Sequence, residues 1–283
     1  MSGRIVIGTD DGLYELREGR IYRICCEGYT IYDAKIYNDE LYICSSDAGV
    51  LRILGDRVIR VIDAPCWRLY VWNDLLVASV EGPMLYIVRE DNAELLADYR
   101  VYASKLGWWF PHGPPHITDI SIFMDRFAAS VEVGNILAGH DLSSMAPLDF
   151  SHDQHNLLSL ERRLLIATAS GVYYTEDLNS FVLSSGSDGY FHALESCGSK
   201  VAGHVMSTEP LRISEDHGRT WIKIGLRLPP PTYGTTGIVC IDDSKLIYST
   251  TEVYEIDLDR VDAKKIVNTI PMTRRITKLP FKD

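Results

Sequence analysis

Seven short apolar runs, each ending in a small or hydroxyl residue and a turn, recur along the 283 residues of the chain. The interval between them is roughly 35 to 50 residues, which is typical of the four-stranded blades of a β-propeller. The runs are 5–9, 41–45, 75–79, 127–130, 164–168, 201–203 and 246–249. No convincing helical periodicity is present, so we predict an all-β fold.

The segments around these runs indicate how a blade is built. An alternating stretch and a polar turn precede several runs, as in 33–39 and 68–74, which is a hairpin signal. The first run lies where the second strand of a blade would be, and Thr273–Leu279 is available as the missing innermost strand. We therefore predict a single domain over 1–283, a seven-bladed β-propeller closed by its C-terminal strand. A six-bladed ring is the alternative, because the fourth repeat is long and the sixth is irregular.

Composition bears on the compartment and the partners of the chain. The formal net charge is −11, and an acidic protein repels phosphate backbones, so we expect no nucleic-acid partner. No run approaches the roughly 18 apolar residues of a membrane-spanning helix, so we expect no membrane span. A strand pattern begins almost at the N-terminus, which favours a chain without a signal peptide. We expect a cytoplasmic monomer.

The six cysteines contain no Cys-x-x-Cys pair and no zinc-ligand spacing. Cys44, Cys197 and Cys240 lie in strand patterns, where a free cysteine is usually a small buried side chain. Cys25 and Cys26 are adjacent on a predicted outer strand, so we expect one thiol to point inwards and the other outwards. No cofactor motif is present, and we expect no cofactor.

The segment around residue 216 carries a specific motif. The pattern Ser-x-Asp-x-Gly-x-Thr-Trp is matched by Ser214, Asp216, Gly218 and Trp221. Asp216 is suited to accept backbone N–H groups across a hairpin turn, and Gly218 to supply a positive φ. The motif resembles the Asp-box (BNR) repeat of propellers that include sialidases, sortilin-like receptors and photosystem II assembly factors. The resemblance implies a structural role for these four residues, away from the active face.

The resemblance does not extend to the arginines of sialidases. Those enzymes carry an N-terminal Phe/Tyr-Arg-Ile-Pro motif and further arginines that clamp the substrate. The nearest strings here, Tyr22–Cys25 and Leu211–Ser214, lack the proline. A carboxylate is poorly recognised without an arginine clamp, so sialidase activity is disfavoured.

The longest loop before a predicted innermost strand spans 99–117 and lies on the top face, the face where propellers usually bind ligands. Its aromatic and histidine side chains are Trp108, Trp109, Phe110, His112 and His116. Aromatic residues and prolines provide contact area at a low ordering cost, which favours a recognition loop. A hydrophobic plug that caps the channel is the equal alternative.

Three further histidines, His152, His155 and His192, are predicted on the same face. Two histidines from each of two adjacent loops could bind a divalent metal. Because the His-x-x-His spacing falls in a loop and no helix fixes its geometry, we expect solvated or loop-pinning histidines and no metal.

Charged residues are predicted at the rim and in the mouth of the channel. The turns after the second strands contain acids in most blades, and glutamates such as Glu81 and Glu132 suggest an electronegative rim. The aligned first positions of the innermost strands are Asp33, Arg68, Asp119, His192 and Arg275. Their alternating signs favour mutual neutralisation.

No nucleophile–base pair, P-loop or Gly-x-Ser-x-Gly motif is identifiable. We therefore predict a non-catalytic binding or scaffold propeller that recognises a protein or glycan partner through its top-face loops. The alternative is a glycoside hydrolase or lyase-type enzyme that uses top-face carboxylates and histidines. Glycoside hydrolysis needs two carboxylates about 5 to 10 Å apart, a distance that sequence does not show.

Overall fold

The computed structural model describes residues 3–280 of the chain. These residues form seven four-stranded antiparallel sheets, arranged as the blades of a β-propeller. The predicted all-β, seven-bladed fold is confirmed, and the six-bladed alternative is wrong. The fourth repeat is long because the helix α1 (Arg100–Leu106) precedes it, and the sixth is irregular because a segment without regular strands, 224–237, follows its short outermost strand.

Blades 2 to 7 each consist of four consecutive strands, whereas blade 1 combines the first three strands with the last. Blades 1 and 2 contain β1 (Arg4–Thr9), β2 (Gly12–Arg17), β3 (Arg20–Cys25), β4 (Ile31–Tyr37), β5 (Glu40–Ser45), β6 (Gly49–Leu54) and β7 (Arg57–Ile62). Blades 3 and 4 contain β8 (Cys66–Trp72), β9 (Leu75–Val80), β10 (Met84–Val88), β11 (Ala93–Asp98), β12 (Ile117–Phe123), β13 (Arg126–Val131), β14 (Gly134–Gly139) and β15 (Ala146–His152).

The remaining blades follow the same pattern. Blades 5 and 6 contain β16 (Gln154–Ser159), β17 (Leu164–Thr168), β18 (Gly171–Thr175), β19 (Val182–Leu183), β20 (Phe191–Cys197), β21 (Lys200–Val205), β22 (Leu211–Ser214) and β23 (Ile222–Lys223). Blade 7 contains β24 (Ile238–Cys240), β25 (Lys245–Ser249), β26 (Val253–Asp257) and β27 (Asp262–Val267), and β28 (Thr273–Leu279) completes blade 1. No helix within residues 3–280 is long and apolar enough to cross a membrane.

The tight turns inside the blades have the backbone conformation that twisted strands require. Asn38 and Asp39 join β4 to β5 with φ angles of 49° and 61°, and Met124 and Asp125 join β12 to β13 with φ angles of 52° and 55°. Two successive residues with positive φ are typical of a type I′ turn, whose twist matches that of the flanking strands. The polar hairpin turns expected from the sequence therefore form.

The apolar core is divided among the interfaces between neighbouring blades. Seven buried clusters are present in the described part of the chain, and each joins two adjacent blades. Between blades 1 and 2, for example, Val6 and Leu13 pack with Ile31 and Ile43. Each blade therefore depends on both of its neighbours for the burial of its two faces.

The last strand closes the ring. β28 pairs antiparallel with β1, so that Arg4 lies opposite Leu279 and Ile7 lies opposite Ile276. This confirms the predicted closure, which removes the exposed edge that β1 would otherwise present. It also places Arg275 beside Asp33 of blade 2, with 3.5 Å between Arg275 Nε and Asp33 Oδ1.

The turn that resembles an Asp-box has the expected hydrogen bonds. Asp216 Oδ1 accepts hydrogen bonds from the backbone N–H groups of Arg219 (3.0 Å) and Thr220 (2.9 Å). Gly218 has a φ of 87°, and the indole of Trp221 is buried in the blade. These contacts stabilise the turn within blade 6.

The segment Thr175–Phe181 of blade 5 resembles a copy of this motif that is one residue shorter, and it forms a related turn. Asp177 Oδ1 accepts hydrogen bonds from the backbone N–H groups of Asn179 (2.9 Å) and Ser180 (2.8 Å). Leu178 has a positive φ of 61°. The hydroxyl of Thr175 accepts a further hydrogen bond of 2.9 Å from the backbone N–H of Leu178, so two side chains organise this turn without a glycine.

The expectation that the strand cysteines are free is wrong. Cys44 is bonded to Cys66, and Cys197 is bonded to Cys240. Each disulfide joins two adjacent blades, a proximity that packing creates and that spacing along the chain does not reveal. Disulfides are rare in the reducing cytosol except in hyperthermophiles. The cytoplasmic localisation stays a prediction.

The adjacent cysteines also differ from expectation. The sulfur atoms of Cys25 and Cys26 lie 2.8 Å apart, so they face the same side. Cys26 has a φ of 66°, and this conformation ends the alternation of side chains that a regular strand would impose.

We expect a chain that ends at Pro271 to melt at a temperature lower by about 10 °C or more, because the loss of β28 leaves one edge of β1 unpaired and two blade interfaces incomplete. A chain that ends at Pro280 keeps β28 and is the control. Circular dichroism melts of both variants and the full chain provide the measurement. Equal melting temperatures for all three would show that the ring does not depend on the closing strand.

Candidate functional site

A β-bulge near the start of the innermost strand recurs in six blades and builds the mouth of the channel. In each of these strands the pairing register skips one residue, which is left without a partner on the second strand. The skipped residues, called here the bulge ring, are Tyr32, Trp67, Thr118, His155, His192 and Arg274. A bulge redirects a side chain out of the regular alternation of a strand, and here it turns side chains towards the channel mouth.

The bulge ring surrounds a cavity of about 240 Å³, called here the mouth cavity. Its lining residues are Tyr32, Trp67, Phe110, His112, His116, Thr118, Glu132, His155, His192, Tyr233, Gly234, Thr236 and Arg275. The sixth member of the bulge ring, Arg274, supports the wall from behind, since its Nη1 donates a hydrogen bond of 2.7 Å to the carbonyl oxygen of Tyr233. The cavity is therefore formed by many blades at once.

The loop 99–117 combines the two alternatives left open by its sequence. The indole of Trp108 is buried in the core between blades 3 and 4, and its Nε1 donates a hydrogen bond of 2.7 Å to Asn135 Oδ1. Trp109 is 68% exposed and lies outside the mouth cavity. Phe110 and His112 reach the cavity wall. One aromatic residue thus anchors the loop, and the following segment lines the site.

An aromatic belt forms one side of the mouth cavity. The ring of His116 stacks on Trp67 with 4.0 Å between centroids, and Tyr32 packs edge-on against Trp67 at 4.9 Å. Phe110 lies edge-on to His116 at 5.5 Å. His116 Nε2 lies 2.7 Å from Glu132 Oε2, so the carboxylate holds the imidazole in this orientation. The belt therefore offers rigid ring faces to a ligand.

The opposite side contains two buried imidazoles and a second carboxylate. His155 Nε2 lies 3.6 Å from Asp153 Oδ1, and Tyr190 donates a hydrogen bond of 2.9 Å to Asp153 Oδ2. Burial lowers the pKa of His155 to about 4 and that of His192 well below its usual value. Both rings are therefore neutral near pH 7. Burial also raises the pKa of Asp153.

Two other residues singled out by the sequence, His152 and Glu81, lie outside the cavity. His152 packs against Phe150 of blade 4 and Tyr173 of blade 5, with ring centroids 4.6 Å apart in both contacts. Glu81 is absent from the lining, although its Oε1 lies beside Gly113 of the 99–117 loop. The histidines therefore divide into a site group and a packing residue, His152.

The charged residues of the channel form an ion-paired cluster below the cavity. Arg68 Nη1 lies 3.0 Å from Asp33 Oδ2, and Arg68 Nε lies 2.8 Å from Asp119 Oδ1. Burial alone would raise the pKa of Asp33, but Lys35 and Arg68 outweigh it and hold the pKa below its usual range. The expected neutralisation of alternating signs therefore takes place, and it occupies both carboxylates.

The alignment of His192 with these channel residues is wrong by one position. His192 is the bulge residue of β20, and Ala193 pairs with His204 at the position equivalent to Asp119. In blade 5 the equivalent position is Asn156. The alternation of apolar residues does not reveal a bulge, which explains the one-residue error.

Several acids of the predicted rim are paired with cations. Asp11 Oδ2 lies 2.7 Å from Arg23 Nη2, and Glu252 Oε1 lies 2.7 Å from Lys265 Nζ. Asp10 pairs with Arg274. The rim is therefore a mixture of both signs, and it does not have the uniform negative charge that the acids alone suggested.

No protein-family model and no curated protein sequence matches the chain. Its fold is similar to that of PorZ, an essential bacterial surface component of the type-IX secretion system of Porphyromonas gingivalis, with a TM-score of 0.59 and 8% identity. That match covers 86% of this chain and 33% of PorZ, so this chain spans about a third of the length of PorZ.

Two further solved structures share the fold over more of their length. YCF48 bound to a D1 peptide has a TM-score of 0.62 and 13% identity, over 88% of this chain and 85% of YCF48. The computationally designed protein Ika8 has a TM-score of 0.62 and 10% identity, over 100% of this chain and 89% of Ika8. Identities this low show the fold alone, that of a β-propeller.

We expect Arg68→Met to lower the free energy of unfolding by about 3 to 5 kcal/mol, because the carboxylates of Asp33 and Asp119 then remain buried without their shared partner. The matched control is Arg60→Met, which removes an exposed ion pair with Asp63 and should cost less than about 1 kcal/mol. Urea denaturation of both variants measures the difference. Similar losses of unfolding free energy in the two variants would mean that the channel cluster stabilises the protein no more than an exposed ion pair does.

A second prediction concerns Glu195, which lines a cavity inside the channel. Burial raises the pKa of Glu195 from 4.5 to about 7. The folded protein retains this proton where the unfolded chain has lost it, so the stability contribution is present below pH 4.5 and declines as the pH rises to about 7.

We therefore expect Glu195→Gln to raise the melting temperature relative to the parent at about pH 8 and to change it less at about pH 4. Glu161→Gln, at an exposed position, is the control and should leave the pH profile unaltered. Thermal melts across this pH range test the prediction. A profile for Glu195→Gln parallel to that of the parent would contradict it.

Proposed function

We propose that this protein is a non-catalytic binding propeller that receives an extended peptide segment of a partner protein in the mouth cavity. The observation that carries the proposal is the aromatic lining of that cavity, which the bulge ring holds in place. Rigid aromatic side chains supply large contact areas at a low entropic cost, and they are enriched at the centres of protein interfaces.

The size of the cavity supports a projecting side chain or chain end as the bound group. Its volume of about 240 Å³ lies below the roughly 300 to 1,000 Å³ that is typical of sites for drug-sized molecules. A partner that inserts one group and rests its backbone on the surrounding loops fits this size. Tyr233, which is 67% exposed at the cavity wall, provides a surface for that backbone.

The fold neighbours are consistent with such a role. YCF48, a propeller of similar fold, was solved with a bound D1 peptide. A hydrolytic function has less support, because Asp33 and Asp119 are engaged by Arg68 and by backbone N–H groups. Carboxylates held in this way are not available as an acid–base pair.

The experiment is a selection of random peptides, displayed on phage, against the immobilised protein. We expect enriched peptides to bind Tyr233→Ala and Phe110→Ala at least about tenfold more weakly than the parent, as measured by fluorescence anisotropy. Trp109→Ala is the matched control, since Trp109 is as exposed as Tyr233 and lies outside the cavity. It should leave the affinity unchanged.

Three results would overturn the proposal. The first is the absence of any enriched peptide, and the second is equal binding of all enriched peptides to the parent and to Tyr233→Ala. The third is a glycan array in which an oligosaccharide, but no peptide, binds with the dependence on Tyr233 and Phe110 described above. Because Tyr233 is exposed, its substitution tests binding without a loss of fold.

A further inference from the structure

We propose that Glu132, Asp153 and His155 form a binding site for a divalent transition-metal ion on the wall of the mouth cavity. One oxygen of each carboxylate and one nitrogen of His155 lie within 4.8 Å of one another. From the sequence, the candidate ligands were pairs of histidines from two loops, and we expected them to bind no metal. The structure instead brings together one imidazole and two carboxylates, a donor set that suits zinc and its neighbours in the first transition row.

The three donors come from two adjacent blades, and each lies in a strand or directly beside one. Glu132 follows directly after β13, Asp153 lies between β15 and β16, and His155 is the bulge residue of β16. The imidazole of His155 is buried, and its position is set by the strand pairing on both sides of the bulge. The site therefore rests on the two blades that flank it.

Each carboxylate has one oxygen held by a neighbour and one oxygen turned towards His155. Glu132 Oε2 is held by His116 at 2.7 Å, and Glu132 Oε1 lies 3.9 Å from His155 Nδ1. Asp153 Oδ2 accepts the hydrogen bond of Tyr190, and Asp153 Oδ1 lies 3.6 Å from His155 Nε2. Outer partners that orient ligand atoms in this way are characteristic of metal sites.

One of these two facing pairs consists of atoms without a hydrogen-bond partner. Asp153 Oδ1 and His155 Nε2 are both buried and unpaired, and unpaired buried polar atoms are costly. Their separation of 3.6 Å is too long for a good hydrogen bond. It is close to the roughly 3.4 Å that separates two ligands of a tetrahedral ion with bonds of about 2.1 Å. One ion would therefore satisfy both atoms.

A further unpaired donor lies next to this group. His192 Nε2 is buried without a hydrogen-bond partner, and the His192 ring lies 4.8 Å from the His155 ring. Unpaired imidazole nitrogens are thus concentrated at this end of the cavity. The inference is independent of peptide binding, because metal binding is measured with the metal alone.

The experiment measures Zn²⁺ and Co²⁺ binding to the full chain after treatment with a chelator. We expect isothermal titration calorimetry to give one ion per chain, and the visible absorption of bound Co²⁺ to report a low-coordinate N/O site. Asp153→Asn and Glu132→Gln keep the side-chain shape and should each weaken binding at least about tenfold. Tyr190→Phe, which removes the hydrogen bond to Asp153, should weaken it by about the same factor.

His155→Gln removes the proposed imidazole ligand, and His152→Gln is its matched control. His152 is near His155 in sequence but packs against Phe150 and Tyr173, so its substitution should leave the metal affinity unchanged. Asp153→Asn and Glu132→Gln carry the test if His155→Gln does not fold. The proposal is wrong if the parent binds neither ion, if both carboxamide variants bind as tightly as the parent, or if His152→Gln loses as much affinity as they do.

Discussion

Side chains in the channel tie each innermost strand to the next, and the ring depends on these contacts. An innermost strand is a sheet edge, so some of its backbone N–H groups have no partner within the blade. The backbone N–H of Leu69 donates to Asp33 Oδ2, and that of Leu157 donates to Asp119 Oδ2, each at 3.1 Å. Carboxylates from one blade thus satisfy the edge of the following blade. Arg68 then neutralises both carboxylates, which makes their burial tolerable.

The same innermost strands carry the bulges, so structure and candidate site share one framework. Above the channel cluster, the bulges of five blades each place a side chain in the lining of a single cavity, and the bulge of a sixth places Arg274 behind its wall. Because every bulge lies within paired strands, the side chains are positioned before any ligand arrives. Preorganised aromatic and imidazole groups are useful for peptide recognition and for metal binding alike, and neither use requires a change in the blades.

The candidate site could be predicted only in part from the sequence. Phe110 and His116 were found because the 99–117 loop interrupts the repeat with aromatic residues and histidines, a local signal. Tyr32 and Trp67 were missed, although each directly precedes a channel residue that the sequence did identify. An aromatic residue at that position would be an outward-facing strand residue in regular alternation, and only the bulge turns it to the cavity. Tyr233 lies in a segment without any repeat signal.

The sequence by itself determined the repeat, the hairpins and the closing strand Thr273–Leu279, because each follows from the pattern of a few neighbouring residues. Tertiary structure alone decided which cysteines pair, as for Cys44 and Cys66, and which residue of an innermost strand turns into the mouth cavity, as for His192. It also decided that Glu132 of blade 4 lies beside His155 of blade 5. These contacts join residues of different strands or blades, and their distances depend on how the blades pack and where a strand bulges, which no local pattern specifies.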